Sequence, residues 1–143
     1  MAEEFNLEGP ILIDLTQIKD EPVTEGWHLV QIERVDPGHS SKQHIPQLFV
    51  MSRIVDEADP EFNRTVIWNS QLQGDGLIFT KRFFAAVGLD DVVSYPNIQG
   101  LVDDLLEAVL EVRVRHRTYE DKTQANVSSW RPYQPMAEVD LAL

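Results

Sequence analysis

Among its 143 residues the chain has no cysteine. That excludes a disulfide scaffold, a thiol nucleophile and a cysteine-based zinc site, and it fits a reducing compartment. The chain is also short of positive charge. Twelve Lys and Arg stand against 24 Asp and Glu, a formal net charge of −12 at pH 7. Taken as a sum, this speaks against nucleic acid, whose partners present basic surfaces. No apolar run approaches the ~18–20 residues of a membrane-spanning helix, so no membrane partner is expected. The opening Met1-Ala2-Glu3-Glu4 has the wrong sign for a signal or transit peptide, and the expected location is the cytoplasm. No metal-site spacing joins His28, His39, His44 and His116. No phosphate loop, nucleophile elbow or calcium loop is present, so neither a cofactor nor an enzymatic activity is expected.

What is there fits one soluble domain, given a usual domain span of ~100–200 residues and ordinary apolar and charged fractions of 43% and 25%. The charge is unevenly spread. Residues 1–30 carry Lys19 against seven acids, a net of −6; residues 31–131 net −4; residues 132–143 net −2. Two thirds of the excess therefore lies in the ends. Residues 109–131 are locally positive, with Arg113, Arg115, Arg117, Lys122 and Arg131 against Glu111, Glu120 and Asp121. Screening limits exposed charges to a reach of ~8–10 Å, so an acidic chain can still present one basic face.

The pattern divides the chain into an acidic arm (1–25), a body (26–131) and a short acidic-apolar tail (132–143). In the body, strand character covers Trp27 to Val35, ended by the turn Asp36-Pro37-Gly38, then Gln47 to Val55 and Phe62 to Leu72. The period then changes. Phe79, Phe83, Ala86 and Val87 form a helical stripe between Leu77 and Val87, with Asp75 placed to cap its start and Gly88 to stop it. Leu77, Phe84 and Leu89 add a second apolar face, so this helix is expected to plug an opening. A short second helix fits Ile98 to Leu106. Ala108 to Tyr119 alternates Leu110, Val112 and Val114 with Glu111, Arg113 and Arg115, the period of a strand. A turn at Glu120-Asp121-Lys122 leads to a last strand, Thr123 to Trp130. Three strands, a helix and two strands is the order of an all-β, five-stranded OB-fold-like Greek-key barrel, the helix lying between strands three and four. An SH3-like barrel or an α+β meander gives a similar string.

On such a barrel, the face of strands two and three and the loops joining strands one-two and four-five bind oligonucleotides. The first loop spans Asp36–Ile45 and contains Lys42; the second holds Lys122. On strands two and three the candidates are Phe49, Met51, Arg53, Arg64 and Trp68. Parity puts Arg113, Arg115 and Arg117 on one strand face, with Tyr119 next in line and Trp130 and Arg131 on the following strand. Guanidinium forks hold phosphates and aromatic rings stack bases. The plainer roles are a solvated sheet face for the arginines and core packing for each ring. The tail from Met136 to Leu143 alternates acid and apolar residues, as a peptide docking in a groove would, although a frayed end does the same.

These residues resemble a family. Asp14-Leu15 and Glu25-Gly26-Trp27 resemble its opening acid-Leu and Gly-aromatic pattern. Ser41-Lys42 before Pro46-Gln47-Leu48 resembles its Ser-Lys-x-Gly-x-Pro loop, with Gln43-His44 where the family tends to have Gly. Asn63-Arg64 to Trp68 resembles its third strand, without the usual Lys-Gly. Lys81-Arg82-Phe83-Phe84-Ala85-Ala86-Val87-Gly88-Leu89 resembles its Phe-Leu-x-Ala-Leu-Gly helix, and Val112 to Trp130 its final hairpin. The chain thus resembles, over roughly residues 11–132, the phage-encoded proteins grouped as domain of unknown function 669. The resemblance implies an OB-fold and a non-catalytic single-stranded DNA-binding protein of phage replication or recombination, in the host cytoplasm. The expected contacts are Lys42, Arg53, Arg64, Arg113, Arg115, Arg117 and Lys122 to phosphates, with Phe49, Trp68, Tyr119 and Trp130 as stacking rings. Two other classes stay open. One is an interaction module that recruits phage or host replication and recombination proteins; the other is a DNA mimic that inhibits a host protein. Homo-oligomerisation stays open as well.

Overall fold

The structure, a computed structural model, describes residues 8–10, 12, 21–42, 44–91 and 93–133. The chain runs β1 (Gly26–His39), β2 (Pro46–Ile54), β3 (Thr65–Gln71), α1 (Leu77–Ala86), α2 (Ile98–Leu105), β4 (Val109–Tyr119) and β5 (Lys122–Pro132). The five strands make one antiparallel sheet in the order β3-β2-β1-β4-β5. β1 to β3 follow one another as neighbours and β4 returns beside β1, a Greek-key connection.

The expected closed barrel is corrected: the sheet is open, because β3 and β5 are its two ends and share no ladder. They do approach each other, and α1 packs against both. Rings fill the seam in place of hydrogen bonds. Trp68 of β3 and Trp130 of β5 meet with centroids 6.3 Å apart, and Phe83 of α1 stands edge-on to Trp68 at 5.2 Å. At this level α1 packs against both strands, and its Phe83 touches both indoles.

Period two decides what is buried. Leu48, Val50, Ser52 and Ile54 of β2 and Leu110, Val112 and Val114 of β4 are buried, as are Val66, Trp68 and Ser70 of β3. Each fully buried aliphatic side chain contributes about 1.5–3 kcal/mol by leaving water. Phe49, Met51 and Arg53 face the other way, as do Arg113 and Arg115.

Three local expectations change. β1 does not stop at Asp36-Pro37-Gly38 but continues through them, pairing Pro37 with Leu48 of β2. The proline is tolerated because β4 leaves β1 after Gln31, so this half of β1 has a free side for a residue with no N–H. A register shift between Ile32 and Arg34, the bend of a β-bulge, lets one strand serve both halves of the sheet. In α1, Phe83, Phe84, Ala86 and Thr80 are buried, while Phe79 is 48% exposed. Asp75 does not cap that helix. Gly76 occupies the cap position and donates its N–H to the Gln71 side-chain carbonyl at 3.1 Å. Gly88 does end it, with φ +87°, the left-handed conformation that glycine adopts without penalty.

The second helix is capped by its own sequence. The Asn97 side chain accepts hydrogen bonds from the N–H groups of Gln99 and Gly100. Asn97→Ala is expected to lower stability by about 1 kcal/mol, read as a shift of the urea midpoint at unchanged slope.

Of the arm expected at 1–25, residues 21–25 lie against the body. One ring nitrogen of His28 meets the Asp59 carboxylate at 2.5 Å and the other meets the Thr24 carbonyl at 2.7 Å. His116 donates to the Val23 carbonyl at 2.7 Å, and Arg64 to the Glu21 carbonyl at 2.5 Å. Val23 itself is buried. The expectations for residues 132–143 lie outside the described residues beyond Tyr133. No helix among the described residues is long and apolar enough to cross a membrane.

Candidate nucleic-acid interface

A groove of about 1060 Å³ follows the seam between β3 and β5. Its apolar lining includes Phe49 of β2, Ile67 of β3, Phe79 of α1 and Trp130 of β5. Ile67 and Phe79 are about half exposed, at 50% and 48%. Amide side chains border this surface: Gln47 and Asn69 on one bank, Gln124 and Asn126 on the other. An apolar patch rimmed by polar groups marks a binding surface on a soluble protein. The charged residues lining it are Glu21, Asp75 and Arg64, so the groove is not itself positive.

Positive charge lies one strand away. Asn126 is the cross-strand partner of Arg115, and Gln124 that of Arg117. Directly opposed residues share a face, with Cβ atoms ~5 Å apart, so these arginines stand behind the amide bank of the groove. Arg113, Arg115 and Arg117 follow at two-residue steps of about 6.8 Å along β4. Among the described residues no ion pair engages any of the three. Most other arginines are occupied: Arg34 by Asp36 at 2.6 Å, Arg53 by Glu33 at 3.0 Å, Arg131 by Glu111 at 2.8 Å, and Arg64 by Glu61. Three unneutralised guanidinium groups in a row repel one another, and an anion relieves that repulsion.

No family model and no curated protein matches the chain. The resemblance read from the motifs rests on those motifs alone.

The expected site residues are therefore divided by the structure. Phe49, Arg64, Trp68 and Trp130 line the groove. Of these Trp68 is 6% exposed and belongs to the core, because Val66, Trp68 and Ser70 occupy the inward positions of β3. Its ring packs against Phe83 and Trp130 and is too buried to be offered to a base. Trp130 is partly buried, against Phe79, Phe83 and Trp68. Arg64 donates to Glu61 and to the Glu21 carbonyl, so it holds the incoming chain. Arg53 lies off the groove, bonded to both Glu33 carboxylate oxygens and to the Asn63 carbonyl at 2.7 Å. The hydrogen bond to Glu33 raises its already high pKa.

Lys42 is exposed on the loop between β1 and β2, outside the groove. That loop is Ser40–Ile45, shorter than expected because β1 runs on through His39. Its ends are closed by the Ser40 N–H donating to the Ile45 carbonyl and the Ile45 N–H donating to the Ser40 hydroxyl. Tyr119 is 69% exposed and pairs with Lys122 across the hairpin tip, where Glu120 and Asp121 both take positive φ. That is the geometry of a two-residue type I′ turn. Neither Tyr119 nor Lys122 reaches the groove lining.

Sequence reasoning missed the amides and misread Phe79. Gln47 was in reach, since it shares parity with Phe49. Asn69, Gln124 and Asn126 were not, because pairing Asn69 with Phe49 and Asn126 with Arg115 requires the register. On the other side of β4, Arg131 lies 4.0 Å over the Trp27 ring, and Trp27 is the cross-strand partner of Arg113. That cation–π contact extends the basic-aromatic surface onto β1.

Proposed function

We propose that the protein binds single-stranded DNA without chemistry of its own, through an OB-type sheet left open between β3 and β5. The strand order and the helix entering between β3 and β4 support that topology, whose nucleic-acid face is β2–β3 with the adjoining loops. The observation that carries the reading is the pairing of an apolar, amide-rimmed groove with three unpaired arginines one strand behind its bank. Bases stack on Phe49 and Phe79 and pack over Ile67, and the backbone runs over Arg113, Arg115 and Arg117, with Lys122 at the hairpin end. Stacking supplies about 1–3 kcal/mol per base. The motif resemblance supports a role in phage replication or recombination.

Fluorescence polarisation of labelled oligo-dT with micromolar protein at low salt tests this. Binding is expected, with log affinity falling against log salt at a slope of about −3 for four phosphate contacts. No polarisation change at low salt abandons the proposal. The second reading is a module that recruits replication or recombination proteins. It is favoured by one observation, the exposed Leu77 and Ile78 at the start of α1, 45% and 52% accessible and outside the groove lining. It predicts no oligo-dT binding.

A further inference from the structure

The cation–π contact beside Arg113 is anchored from three strands. Arg131 of β5 reaches across β4, where its Nε and Nη2 donate to the carboxylate of Glu111, its cross-strand partner, at 3.3 and 2.8 Å. Its guanidinium carbon then lies 4.0 Å from the centroid of the Trp27 ring on β1. A long side chain held this way has already lost its rotamer freedom, so a ligand that uses it finds the ordering done. The side chain is nonetheless 48% exposed. One face of the planar cation rests on the indole and the other is open. Glu111 and Arg113 are one two-residue step apart on β4, and Trp27 is the cross-strand partner of Arg113. The plane therefore continues the row Arg117, Arg115, Arg113 at the end away from the hairpin tip. Its charge sets it apart from the row. Glu111 already neutralises Arg131, so it offers a nucleic acid a flat surface rather than an unmatched charge.

We infer that Arg131, laid on Trp27, is a base-stacking platform at the end of the arginine row, a second station for the strand outside the groove. The inference rests on the single-stranded DNA reading above and adds to it a contact that does not depend on unmatched charge. Guanidinium planes stack the bases of single strands as aromatic rings do. A strand whose phosphates follow Arg117, Arg115 and Arg113 arrives at the open face of Arg131. Its next base lies there as the third layer on Trp27 and Arg131. Trp27 is a positioning residue, which supports the plane from below, while Glu111 holds it by its edge. Stacking on a matched cation releases no counterion, so this contribution is independent of salt, unlike that of the row. Arginine is required at the position. Lysine keeps the charge and a partner for Glu111 but has no plane on which a base can lie.

Polarisation of labelled oligo-dT with the full chain, at low and at moderate salt, tests the platform. Arg131→Lys is expected to weaken binding on the order of tenfold at both salt concentrations, parallel to the parent in its salt dependence. The fold bears the change, because Arg131 is exposed and lysine keeps the charge beside Glu111. Trp27→Leu, which leaves Arg131 without its support, is expected to weaken binding at an unchanged slope, and Trp27→Phe to recover most of that loss. An Arg131→Lys chain that binds as tightly as the parent overturns the platform. That is the result of a plain phosphate contact, which lysine also makes, and of a purely structural ion pair. An equal loss in the two Trp27 variants overturns the part given to the ring. Both of these outcomes leave DNA binding standing, whereas a parent chain that does not bind oligo-dT overturns the DNA reading itself.

Discussion

Arg113→Ala, Arg115→Ala and Arg117→Ala combined are expected to weaken oligo-dT binding at low salt by on the order of a hundredfold, and to flatten the salt slope by about 2. The two numbers come from one cause. Each arginine that meets a phosphate releases about 0.7 of a counterion from a single strand, and that release is most favourable when salt is scarce. Near molar salt the variant and the parent converge. The fold bears the change, because Arg115 and Arg117 are exposed, Arg113 is half-buried, and no ion pair among the described residues depends on them. Arg34→Ala is the matched control. Its guanidinium is already held by Asp36 at 2.6 Å, so its loss removes charge without removing a phosphate contact. A triple variant that binds as tightly as the parent, at the same slope, removes the stripe from the site.

Phe83→Ala carries the largest expected cost in stability, about 3–5 kcal/mol. Phe83 is fully buried and is the ring around which the seam is built, with Trp68 at 5.2 Å, Phe84 at 5.5 Å and Trp130 at 6.4 Å. Its removal leaves a cavity that these three rings cannot collapse to fill, since each is anchored on a different part of a strand or helix. A domain of this size has about 5–15 kcal/mol in total, so the variant stands near the limit of folding. Urea unfolding measures the loss as a lowered midpoint at unchanged slope. Phe83→Leu, which keeps most of the volume, is expected to lose well under half as much. A drop below about 1 kcal/mol for the alanine variant contradicts the central place given to this ring.

The net charge of −12 illustrates how a sum misleads. The excess sits largely at the two ends of the chain, and within the body many acids are already matched. Glu33, Asp36, Glu61 and Glu111 each hold an arginine, and Asp59 holds His28. What remains unmatched among the described arginines is concentrated on β4. The surface therefore carries a local row of positive charge within an acidic surround, from which the proposed DNA binding is expected to be weak and strongly salt-dependent.

Strand parity, the helical stripe around Phe83, the glycine stop at Gly88 and the locally basic hairpin were legible in the sequence, because each depends on neighbours a few residues apart. The extension of β1 through Pro37 was not, since it depends on β4 having already left that side of the strand. Nor was the open seam. Whether β3 and β5 zip together or hold rings between them depends on Trp68, Phe83 and Trp130 meeting from distant parts of the chain. The same holds for the candidate site. The sequence by itself determined that three arginines share a face and that Phe49 shares one with Met51. Only the tertiary structure decided that Trp68 turns inward, that Arg53 and Arg64 are already occupied, and that four amides meet across one groove. The physical reason is common to all of these. A two-residue period assigns a side chain to a face, but which faces confront each other is set by register and sheet curvature, and those are properties of the assembled fold.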